Sequence, residues 1–98
     1  MTWTVRIAPE AETELEASAR WYDENAGLRD HFLDEIGAAL GAIAEAPLRY
    51  PIWRTGAAFR KCVVRRVPYV IYYRVLSNYV EIAAFAHMSR QPGYWVGR

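Results

Sequence analysis

Three runs in the second half of the chain are rich in Val, Ile, Tyr and Phe and bounded by turn residues, the mark of β-strands: Lys61–Arg66, Tyr69–Leu76 and Tyr79–His87. Pro68 punctuates the first gap and Ser77-Asn78 the second. A two-residue gap predicts a tight hairpin. In the last run Val80, Ile82, Ala84 and Ala86 are all apolar, so they are expected to share the buried face. The middle run is apolar on both faces, and Arg74 sets its phase because a lone charge is costly to bury. Val70, Tyr72, Arg74 and Leu76 then point outward, and Tyr69, Ile71, Tyr73 and Val75 inward. In the first run Cys62 and Val64 point inward, and Lys61, Val63 and Arg65 outward. Arg66 breaks the inward pattern. The outward face is expected to be basic and aromatic.

The first half changes rhythm. Thr2–Ile7 alternates and predicts a strand. From Pro9 the spacing of Ala11, Leu15, Ser18 or Ala19, and Tyr22 predicts a helix over Pro9–Glu24. Proline suits a first helical turn, and Glu10, Glu12 and Glu14 suit the positive end of the helix dipole. Asn25-Ala26-Gly27 ends that helix. Leu28, Phe32, Ile36, Leu40 and Ile43 then recur at helical spacing, which predicts a second helix to about Ala46, before Pro47. The short break makes the two helices an antiparallel hairpin, expected on the inward face of the sheet. Pro47–Ala58 has no clean period and reads as a connector, with Tyr50 and Trp53 placed to close the end of the core. After His87, Pro92-Gly93 signals a turn. The residues beyond it are either a short tail laid across the sheet or a frayed end.

The predicted class is therefore α+β, in one domain over 1–98. It has an N-terminal strand, a helix hairpin and a three-stranded antiparallel meander. The first strand adds at an edge or pairs with the last strand. With 53% hydrophobic residues the chain is a folding sequence rather than a disordered one. Its single cysteine, Cys62, excludes an internal disulfide and fits a reducing cytoplasm. Placed inward, Cys62 reads as core, because a reactive thiol wants exposure and nearby positive charge. One Cys and two distant His do not make a zinc site. No signal peptide and no membrane-spanning run is present in the sequence.

Charge divides the chain. Residues 1–46 hold ten acids and three arginines, a net −7. Residues 47–98 hold nine bases against Glu81, a net +8. Such a split fits a surface for an acidic partner or nucleic acid, and equally an acidic helix pair packed on a sheet with a basic rim.

The order of elements, together with several short motifs, resembles the RelE/ParE superfamily of bacterial toxins over nearly the whole chain. The motifs are Ala11–Leu15 (AETEL), Trp21-Tyr22, the proline after the second helix, Tyr69–Val75 (YVIYYRV), and Ala86-His87, Arg90, Pro92 and Trp95 in the ending. The resemblance implies the toxin of a type II toxin–antitoxin pair, silenced by a small antitoxin protein in a hetero-oligomer. It implies no cofactor, metal or membrane. RelE-type members cut messenger RNA on the ribosome, whereas ParE-type members poison DNA gyrase. The RelE-type site is a basic cluster on the outward sheet face. Against that pattern Lys61 and Arg90 match, while Val63 and Val70 stand where a lysine and an arginine belong. Valine neither transfers a proton nor pairs with phosphate, so the resemblance leans to the ParE type.

If the chain were a nuclease, Lys61, Arg65, His87 and Arg90 would carry the chemistry. As a partner-binding toxin it would use Trp21, Arg65, Tyr72, Arg74, Arg90 and Trp95. A third reading is a non-toxic member that only binds its antitoxin.

Overall fold

The computed structural model describes residues 2–54 and 58–98. Helix α1 (Pro9–Ala26) starts on Pro9, with Glu10 and Glu12 in its first turn. It runs two residues past Glu24, because Gly27 is the first position that needs the left-handed backbone (φ 64°). There the Leu28 N–H bonds Tyr22 O at 3.1 Å. Helix α2 (Arg29–Glu45) stops two residues before Pro47. Ala11 and Ala19 of α1 and Phe32, Ile36 and Ile43 of α2 are buried against the sheet, with Tyr22 stacked on Phe32 at 4.7 Å. Leu28 falls outside the helix and stays exposed, so it does not join the predicted stripe.

The sheet runs β1 (Thr4–Ile7), β4 (Tyr79–His87), β3 (Tyr69–Val75), β2 (Arg60–Val63). The three C-terminal strands form the expected antiparallel meander. β1 lies at the edge, parallel to β4, with Thr4 opposite Tyr79 and Ile7 opposite Ile82. The helix hairpin is the crossover that parallel pairing requires. The sheet is thus mixed.

Two expectations are corrected. β2 ends at Val63, not Arg66. Val64 still donates to Tyr69 O at 3.0 Å, but Arg66 takes a positive φ of 67° and turns the chain back. The second correction concerns β4. Tyr72 pairs with Ala84 and Tyr73 with Ile82, so Ala83 is an extra residue, a β-bulge. One extra residue moves every later side chain to the opposite face. Val80 and Ile82 pack under the helices and Phe85 follows them, while Ala84 and Ala86 turn to the outer face. Those four residues therefore do not share a face.

The bulge gives the protein two cores. The main one lies between helices and sheet and includes Ile71, Tyr73, Val80, Ile82 and Phe85. Tyr73 donates its phenol to Pro47 O at 2.6 Å, and burial pushes its pKa up to about 12. The second core lies on the outer face. There the tail crosses the sheet, and Trp95, 1% exposed, stacks on Tyr72 at 3.7 Å between ring centres. Val70, Ala84 and Ala86 lie beneath, with Trp53, Phe59 and Tyr94 around them. Of the two readings for the tail, the structure takes the docked one. Tyr50 closes the main core as expected, and Trp53 the second.

Candidate functional site

The tail is held by one carboxylate. β1 pairs with β4 only as far as Ile82, which leaves Ala83 and Phe85 without a strand neighbour on that side. Glu14 of α1 fills the gap. It accepts the Phe85 N–H at 3.2 Å, the Tyr94 hydroxyl at 2.5 Å, and both Arg98 Nη atoms at 3.1 and 2.9 Å. Arg98 also donates to Ala83 O at 3.2 Å. Burial, then the Glu14 hydrogen bond and charge, push the Tyr94 phenol upward, so it remains a donor. Read from the sequence, Glu14 only complemented a helix dipole. The signal for more was present, because Glu14 is the glutamate of the Ala11–Leu15 motif.

A hollow of about 220 Å³ lies on the outer face, with Tyr94 of the clamp in its lining. Val63, Val70, Tyr72 and Trp95 line it, and Lys61, His87 and Arg90 stand around it. Lys61 comes from β2. His87 and Arg90 come from the turn that ends β4, closed by Arg90 N–H to His87 O at 2.9 Å. The Arg90 guanidinium lies over the Tyr94 ring, 3.9 Å from its centre.

His87 is tied to the turn through its Nδ1. Its Nδ1 accepts the Ser89 backbone N–H at 3.0 Å and lies 2.8 Å from Ser89 Oγ. The Nδ1 lone pair is thus shared with the Ser89 backbone.

Arg74, Arg65 and Trp21 do not join this hollow. Arg74 is opposite Glu81 in the β3–β4 ladder and bonds its Oε1 at 2.8 Å, so its charge is met within the chain. Arg65 lies past the end of β2 beside a recess against Glu35 and Ala38 of α2. Arg65 and Arg74 thus line different hollows, a correction to their expected shared face. Trp21 is 56% exposed and, with Tyr69 and His87, lines a separate hollow at the end of α1. Tyr72 and Trp95 are buried and build the wall and floor of the site rather than free surface. Cys62 is buried as expected, and burial pushes its thiol upward, away from the reactive thiolate.

No curated protein sequence matches the chain. Among solved structures it is similar to one described as the chromosomal ParDE TA system from P. aeruginosa, with 13% identity and a TM-score of 0.77. That match covers 88% of this chain and 96% of the other, and it shows a shared fold. The sequence profile of the ParE toxin of type II toxin-antitoxin system, parDE, matches residues 5–92. That span runs from β1 through the meander to the start of the tail, and by it the chain belongs to the ParE toxin family of type II toxin–antitoxin systems, a family whose members have an antitoxin protein as partner.

Proposed function

We propose that this protein is a toxin that inhibits DNA gyrase and is silenced by its cognate antitoxin. The observation that carries the reading is the filled centre of the outer face. RNA cleavage on this face needs a group to take the 2′-hydroxyl proton and groups to hold the phosphate. Val63 and Val70 occupy that centre, with Trp95 stacked on Tyr72 beside them. Loss of one transition-state donor costs about 10²–10³ in rate, so absence of two costs on the order of 10⁴ or more.

One observation favours the rival, a ribosome-dependent nuclease: Lys61, His87 and Arg90 converge on one hollow. Against it stands the Nδ1 of His87, engaged by Ser89. The test is purified protein with gyrase and supercoiled plasmid and, separately, with programmed ribosomes. Blocked supercoiling or trapped cleaved DNA is expected, with intact message. Codon-positioned cuts that vanish in His87→Ala would replace the gyrase reading with the nuclease one. Silence in both assays would leave a protein that only binds its antitoxin.

A further inference from the structure

β2 is an edge strand, and its outer side is only partly covered. The Val64 N–H bonds Tyr69 O at 3.0 Å, which fixes the phase of the ladder. In an antiparallel pair, successive residues direct their N–H and C=O groups alternately toward and away from the partner strand. Cys62 and Val64 therefore face β3, and Lys61 and Val63 face away. The Lys61 N–H is met by Pro51 O at 3.0 Å. Pro51 has no N–H to return, and the short bridged segment goes no further along the edge. Among the described residues the Val63 N–H has no partner. The Val63 C=O accepts only a long bond from the Cys62 thiol, at 4.0 Å, among the described residues. Val63 itself is 51% exposed.

This open position lies between two recesses of different chemistry. Toward the helices, a recess of about 240 Å³ between β2 and α2 is lined by Ala38, Ala39, Ala42, Tyr50 and Cys62, and also by Glu35 and Arg65. It is large enough for one apolar side chain. Toward the outer face lies the hollow bordered by Lys61 and Arg90. Among the described residues Lys61, Arg65 and Arg90 form no ion pair. An extended chain laid along this edge would send alternate side chains into the two recesses.

We propose that an extended segment of the antitoxin adds to the sheet at Val63, with an apolar residue in the Ala38–Ala42 recess and acidic neighbours facing Lys61 and Arg90. This rests on the antitoxin reading above. Charge selects the occupant. A second copy of this chain would bring Lys61, Arg65 and Arg90 against their own equivalents, and like charges across a strand pair are destabilising. An alternating apolar and acidic segment meets both sides of the edge, and backbone bonds to the open edge supply affinity without dictating sequence.

The test uses this protein free and in complex with its co-expressed antitoxin. Residue-resolved amide exchange is expected to slow at Val63 by at least about tenfold in the complex, the signature of a backbone bond that must open first. Val63→Pro removes the donor, and an edge position whose N–H faces away from the sheet tolerates proline. It is expected to melt like the parent and to weaken antitoxin binding about tenfold, the loss of roughly one hydrogen bond. Val63→Thr keeps the N–H and the β-branched shape and is expected to bind like the parent. Unchanged exchange at Val63 in a complex that does form would overturn the strand addition alone, as would a folded Val63→Pro that binds as tightly as the parent. If Val63→Pro fails to fold, the exchange measurement decides. A protein that forms no complex with the antitoxin would overturn the antitoxin reading itself and the inference with it.

Discussion

Trp95→Ala is expected to cost about 3–5 kcal/mol of folding stability, the range for emptying a buried aromatic site. Small domains have only about 5–15 kcal/mol in total, so this variant approaches unfolding at physiological temperature. The reason is the outer core. Trp95 lies on Tyr72 with Trp53, 4.9 Å away, beside it, and it shields Val70, Ala84 and Ala86 from water. Trp95→Phe should cost much less, about 1 kcal/mol. It opens a smaller void and also removes the indole N–H, which is buried without an acceptor among the described residues. Urea titrations of both variants give the comparison. A Trp95→Ala protein with the parent's midpoint would mean that the tail is frayed in solution and the outer core is not built.

The second large effect is expected at Glu14. Glu14→Ala leaves the Phe85 N–H, the Tyr94 hydroxyl and the Arg98 guanidinium without their shared acceptor. Unsatisfied buried donors cost about 1–3 kcal/mol each. Arg98 is 26% exposed in its side chain, and solvent meets part of its loss. The net cost is expected to be about 2–3 kcal/mol, with the tail released first. Limited proteolysis should then cut within residues 88–98 before the sheet. Parent-like resistance of that segment in Glu14→Ala would show that the clamp is dispensable.

Much of this architecture is legible in the residues. Helical spacing places α1 and α2, alternation places the meander, and the break at Gly27 fixes the hairpin. The Arg74–Glu81 pair was also within reach. Ser77-Asn78 as a two-residue turn puts Leu76 beside Tyr79, and counting back sets Arg74 opposite Glu81, as the ladder has it. The bulge was not legible. Ala83, Ala84, Phe85 and Ala86 are apolar without interruption, so either phase of alternation fits, and nothing local marks which residue is extra. The reach of the tail depends on a partner far away in sequence, and the Ala11–Leu15 motif marks Glu14 without announcing which segment it will hold. For the same reason the arginines read as one basic face. In three dimensions Arg65, Arg74 and Arg90 go to different hollows, and Lys61, His87 and Arg90 go to one.

The clamp also bears on time. The helix hairpin and the meander are each made from neighbours in sequence, and such local units form within microseconds. The β1–β4 pairing and the Glu14–Arg98 contact, 84 residues apart, close the longest loops in the molecule. Contacts that close long loops carry the largest entropic cost before any reward, and the tail clamp is expected to form after the transition state. Glu14→Ala should then leave the folding limb of a chevron nearly unchanged and steepen the loss on the unfolding side. The clamp between Glu14 and the tail is thus expected to set how long a folded molecule survives, with little effect on how fast it assembles.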